Sequence, residues 1–174
     1  MNLVRGRTRP HWLRTAVRVL AGLMLLFFCT LNSHGDAAAQ TIRLTGKTFD
    51  GATHDLTVEE IDSAGVVHER VFNPYEKLRV RYAGVLLDRL VAKFGDPSVR
   101  SIKISAIDDY RIEFDKTEWE QYRILFVTRL RGERFGLEKK GPARIVYVDF
   151  DPEEEAFRLR LPNWLWMIQE VEFR

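Results

Sequence analysis

Only one stretch of this chain, GVLLDRLVAKFG at residues 84–95, carries a helical period long enough for a full helix. Leu86, Leu87, Leu90, Val91 and Phe94 fall on one face of it, Gly95 is placed to end it as a left-handed cap, and Pro97 follows as a stop. The rest of the sequence beyond residue 39 is cut into short apolar runs by turn signals. Residues 41–45, 66–72, 78–82, 101–107, 110–114, 124–130, 145–148 and 169–173 read as strands, set apart by Asp50-Gly51, Asn73-Pro74, Asp108-Asp109 and Arg131-Gly132-Glu133. TVEEI at 57–61 supplies a capping box for one helical turn, Thr57 accepting from the amide of Glu60, and TEWEQY at 117–122 suits one or two more. These short strands against one full helix, without regular alternation, favour an α+β or mostly β domain over a doubly wound sheet.

The first 39 residues are expected to stand outside that domain. Arg5, Arg7, Arg9, Arg14 and Arg18 precede an apolar run from Val19 to Leu31, and Ala37-Ala38-Ala39 follows. This order reads as a secretory signal peptide cleaved after Ala39, with a retained anchor as the alternative. The apolar run of 13 residues is shorter than the roughly 20 that a membrane-spanning helix needs. Phe27 and Phe28 stand where a lipoprotein signal needs small residues before Cys29, and no adjacent arginine pair marks folded export. The expected mature chain is residues 40–174, periplasmic or otherwise exported, with no membrane span.

That segment has 174 − 39 = 135 residues, with 27 − 5 = 22 basic and 25 − 1 = 24 acidic side chains, a formal charge of −2. The basic balance of the whole chain belongs to its first 39 residues, so nothing argues for a nucleic-acid partner. Cys29 is the only cysteine. The expected mature domain therefore has no disulfide, thiolate ligand or cysteine nucleophile. His54 and His68 lack a third ligand at zinc-site spacing. Asp108, Asp109, Glu113 and Asp115 read as solvated turn acids, and Glu153–Glu155 as a solvated loop.

KKGPARIVYV at 139–148 carries the strongest candidate chemistry. Lys139, Lys140 and Arg144 flank a Gly-Pro turn, which is either an anion site or a solvated turn entering a strand, with Gly141 supplying an unusual backbone angle. Arg129 and Arg131 alternate at a strand end and are expected to face one side together as surface charge. Trp164 and Trp166 are read as core, with a ligand-stacking face as the alternative.

Five stretches in order, YAGVLLDRLVAKFG, IDDYRIEF, FVTRLRGE, KKGPARIVYV and NWLWMIQEVEF, resemble the small exported relatives of the molybdopterin-binding domain of sulfite oxidases. The resemblance covers about residues 64–174 and implies a mixed, strand-rich α+β fold of the sulfite-oxidase-like type. It implies Arg129, Lys140, Gly141 and Arg144 as cofactor-binding positions, with Pro142 in the same turn on the pterin side of the fold. The enzymes bind molybdenum through a cysteine in the region preceding the aromatic-x-Gly helix. Here that region reads GVVHERVFNPYEKLRVRY, and neither His68 nor Glu69 reproduces a thiolate. The enzymes' additional domain is not expected here, and an unfolded export route conflicts with cytoplasmic loading of their cofactor. The expectation is therefore a non-redox ligand- or protein-binding accessory module with no cofactor. It would take a small anionic ligand, or an envelope protein or membrane sensor as partner. The alternative is a molybdopterin-binding oxidoreductase or its subunit, and a third reading is a purely structural envelope protein with both tryptophans in its core.

Overall fold

The computed structural model describes residues 40–174, so the proposed signal segment lies outside the described residues. Two sheets form. The first runs β2-β1-β9-β5-β6, from β1 (Thr41–Gly46), β2 (His54–Thr57), β5 (Ser101–Ala106), β6 (Arg111–Asp115) and β9 (Ile168–Phe173). Its one parallel pairing joins β1 to β9. The second is antiparallel throughout, in the order β3-β4-β7-β8: β3 (Val66–Asn73), β4 (Leu78–Leu86), β7 (Ile124–Leu130) and β8 (Arg144–Tyr147). With short helices between strands, the architecture is a strand-rich mixed α+β fold.

Alternation explains the first sheet. Ile42 and Leu44 on β1, Ile102 and Ile104 on β5, and Ile112 and Phe114 on β6 are buried, while their neighbours, Ser105 excepted, face out or are half-buried. Buried positions on β9 step from Ile168 to Val171 because the pairing shifts opposite Ser105 and Ala106. Phe114 meets Tyr147 of β8 edge to face, centroids 6.4 Å apart, and the buried side chains of both sheets form one cluster. In the second sheet, Ile124–Thr128 and all of β8 are buried. The free edge of β8 is covered by residues 164–167, where the Ile145 amide donates to the Leu165 carbonyl at 2.7 Å and Arg144 bridges to Trp166.

The helices are α1 (Val58–Asp62), α2 (Leu87–Phe94), α3 (Lys116–Gln121) and α4 (Glu155–Arg158). Thr57 and Glu60 form the expected reciprocal capping box on α1. Three expectations are corrected. The helix starts at Leu87 rather than Gly84, because Gly84, Val85 and Leu86 pair with Val127, Phe126 and Leu125. A Cβ on Gly84 would lie 2.1 Å from the Phe126 carbonyl oxygen, so the glycine serves close strand approach. Gly95 is extended, at φ −95° and ψ 156°, not left-handed. It is small because the Val91 carbonyl and the Val99 side chain crowd its Cβ position. The acidic run at 153–155 is exposed as expected, but its last residue, Glu155, opens α4 rather than continuing the loop.

On the outer face of the first sheet, Glu172 takes Arg174 at 2.9 Å and Lys103 at 2.7 Å. Hydrogen bonds from Arg174, then Lys103, hold its carboxyl at about 2, below its ordinary 4.5. A carboxyl lowered by folding adds stability above its unfolded value and loses it as the pH falls through its folded one. The urea midpoint should therefore drop between pH 4.5 and about 2, and Glu172→Gln should flatten that drop. The side chain keeps 29% of its exposure, so the contribution stays within about 1 kcal/mol.

Candidate anion-binding cavity

The loop from β7 to β8 builds one wall of the site. After Leu130 the chain turns through Arg131, at φ 55°, and Gly132, then buries Phe135. A 3₁₀ turn at Leu137–Lys139 is closed by Lys140 in the left-handed region, φ 61° and ψ 40°. The peptide between Gly141 and Pro142 is cis. The unusual backbone angle expected at Gly141 thus belongs to Lys140. Glycine is needed at 141 because a Cβ there would lie 1.9 Å from the Phe135 carbonyl oxygen, while its amide donates to the Gly136 carbonyl at 2.8 Å.

This loop leads into Arg144, the first residue of β8 and only 8% exposed. Its Nη2 donates to the Lys139 carbonyl at 2.6 Å, and its guanidinium lies 4.7 Å from the centre of the Phe135 ring. Among the described residues no carboxylate pairs with it, and its Nε has no acceptor. A buried cation without a counter-charge is costly unless something compensates it.

Arg144 lines a cavity of about 310 Å³ between the β3–β4 hairpin, the Gly-Pro loop and the segment before β9. Trp164, 5% exposed, stands on the same cavity, and its Nε1 also lacks an acceptor. Tyr82 of β4 adds a third polar group: its hydroxyl accepts from Asn73 Nδ2 at 2.9 Å and donates to none of the described residues. Burial raises the Tyr82 pKa, with the Arg144 charge opposing it, so the phenol keeps its proton at neutral pH. Asn73 is already spent. Its Oδ1 accepts the amides of Tyr75 and Glu76, and its Nδ2 serves Glu76 and Tyr82. The buried polar groups thus offer N–H and O–H donors and no free acceptor.

The mouth is aromatic and charged. Tyr75 meets Trp166 edge to face at 5.0 Å and Trp164 at 6.2 Å, and Lys140 Nζ sits 4.8 Å from the Trp166 ring centre. Lys139, Lys140 and Arg144 against Glu76 and Glu138 give the lining 3 − 2 = 1 net positive charge. Glu76 is engaged by Asn73 and, at 3.6 Å, by Arg131.

Lys140 and Arg144 line this cavity, Gly141 lies in the loop between them, and Arg129 does not join them. Its guanidinium pairs with Asp62 of α1, which also accepts from the Thr128 hydroxyl at 2.6 Å. The cause is the irregular pairing between Ala83 and Gly84, which leaves Thr128 as an extra residue and turns both it and Arg129 toward Asp62. The expectation that Arg129 and Arg131 share one side is likewise overturned, since Arg131 leaves the strand and reaches Glu76. Asp62→Ala should cost about 2–3 kcal/mol in urea unfolding, because it strands a half-buried cation. It should leave the cavity's ligand affinity unchanged.

The carboxylates around residues 108–115 hold structure. Asp115 caps α3 and Glu113 bonds Ser101 and Arg174. His54 bonds Asp50, and no group of three or more His, Cys, Asp or Glu side chains among the described residues is arranged to hold a metal. Trp164 is core, as read; Trp166 is half-buried and walls the cavity. Tyr75, Tyr82 and Asn73 were not singled out for the site. Asn73 was visible only as a turn residue.

No family model and no curated protein matches the sequence. Among solved structures the chain is similar to the sulfane dehydrogenase SoxCD from Paracoccus pantotrophus, with a TM-score of 0.54 and 16% identity. The likeness covers 79% of this chain and 39% of that one. At that identity it speaks to the fold alone.

Proposed function

We propose that this chain is an exported, non-redox binding module on a sulfite-oxidase-like fold, and that it holds a small anion in the cavity beside the Gly-Pro loop. The carrying observation is Arg144, buried without a carboxylate partner among the described residues, beside Trp164 Nε1, a second buried donor without an acceptor. An acceptor-rich anion in the cavity would offset the cost of the buried charge. The likeness to SoxCD supports the fold, together with the five ordered sequence stretches. The arginine-rich start, the apolar run and Ala37-Ala38-Ala39 support export to a periplasm or its equivalent. There an envelope protein or membrane sensor is the proposed partner.

The residues do not fit molybdenum. The stretch that holds the thiolate ligand in the sulfite oxidase family folds here as the β3–β4 hairpin, where His68 is exposed and Glu69 is taken by Arg123. No residue from 40 to 174 is a cysteine. Lys140 and Arg144 would suit the phosphate of a metal-free pterin, the form in which the family's cofactor survives as a second reading.

The test uses the indoles beside the site. Tryptophan emission is followed while acetate, inorganic phosphate or sulfate is added at constant ionic strength. Saturable change with at least one anion, weakened in Arg144→Gln, is the expected result. Emission unmoved by all three would overturn the reading.

A further inference from the structure

The cavity's chemistry narrows what the anion is attached to. Arg144, Trp164 and Tyr82 line the cavity, and their buried polar atoms include N–H and O–H groups without acceptors, so the group that binds there is chiefly a hydrogen-bond acceptor. The lining's single net positive charge matches one negative charge. A multiply charged ion would also stand against the Glu138 carboxylate and against Glu76, whose charge the exposed Arg131 offsets only in part. The lining also carries Trp166, Tyr75, Leu130 and the Trp164 ring, and these offer flat apolar surface that a bare hydrated ion does not use. At about 310 Å³ the space lies at the bottom of the range for small-molecule pockets, about 300–1,000 Å³, so the ligand's body is small.

Resting on the anion-binding reading, we infer that the ligand is a monoanionic aromatic carboxylate, one ring bearing one carboxylate, rather than a free inorganic oxyanion. The carboxylate seats on Arg144, with Trp164 Nε1 and the Tyr82 hydroxyl within the same floor, and the ring lies against Trp166 and Tyr75. Lys140, held over Trp166, closes the mouth and adds charge near the carboxylate. Aromatic stacking and exclusion of water from the ring supply the part of the affinity that acetate lacks.

Calorimetric titration of the protein with benzoate, acetate and inorganic phosphate at constant ionic strength tests this. Benzoate should bind about tenfold more tightly than acetate, a difference of about 1.4 kcal/mol. Trp166→Leu should remove that gap while leaving acetate affinity in place, and Arg144→Gln should weaken both. Equal affinity for benzoate and acetate, or tighter binding of phosphate, would overturn the aromatic ligand and leave the anion site standing. No binding by any of the three would remove both. Benzoate binding that neither substitution alters would place the ligand elsewhere and also remove both.

Discussion

Gly141→Ala should be the most destabilising single-methyl change in the Gly-Pro loop, costing at least about 3 kcal/mol in urea unfolding. The added carbon would fall 1.9 Å from the Phe135 carbonyl oxygen and 2.9 Å from that of Gly136. The obstacles are backbone, and the Gly141 amide is itself tied to the Gly136 carbonyl. Relief therefore requires the whole loop to move, carrying Lys140 and the entry to β8 with it. Gly132→Ala is the comparison. At φ 94° it meets backbone strain but has nothing within 4 Å of its Cβ position, so its cost should stay near about 1 kcal/mol. Equal costs at the two positions would show that the loop is not packed as described.

Arg144→Met should carry the largest effect on binding, weakening any carboxylate or phosphate ligand by about a hundredfold. A charge-assisted hydrogen bond contributes about 1.5–3 kcal/mol, and each 1.4 kcal/mol is a factor of ten. Methionine retains an apolar stem against Phe135 and ends the burial of an unpaired cation, so stability should hold or rise. A gain in stability with a loss of affinity is the signature of a residue kept for its ligand. Arg144→Lys should fall between, because an ammonium keeps the charge and loses the planar fork. If Arg144→Met unfolds the protein and no anion stabilises the wild type, the arginine is structural.

Most strands were legible because each buries one face, and the alternation at residues 41–46, 101–106 and 111–115 is carried in single side chains. β2 was not, since His-Asp-Leu-Thr is polar and only four residues long at a sheet edge. The start of α2 was misplaced for a different reason. Val85 and Leu86 fit a helical face and a buried strand equally, and pairing to β7 decided between them. Gly95 and Gly141 show the same ambiguity in small form: a glycine in a sequence signals either backbone angle or crowding, and both proved to be crowding.

The site was half legible. Lys140, Gly141 and Arg144 are contiguous enough to be seen as a unit, and the two tryptophans stand out by type. Tyr82 reaches the cavity through long-range register, opposite Leu130 on β7, which no local pattern encodes; Asn73 lies opposite Leu78 across the hairpin turn, where its type signals only a break in the strand. Arg129 looked equivalent to Arg131 by alternation. An irregular pairing one residue away sends it to Asp62.

The central claim is that the cavity serves an anion without metal chemistry. The most direct test is molybdenum per chain in protein purified from its native host, by elemental mass spectrometry, with pterin fluorescence read on the same sample. Molybdenum far below one atom per chain, with or without pterin, is the expected result. Near-stoichiometric molybdenum would contradict it, and would mean that a ligand other than cysteine holds the metal in this fold.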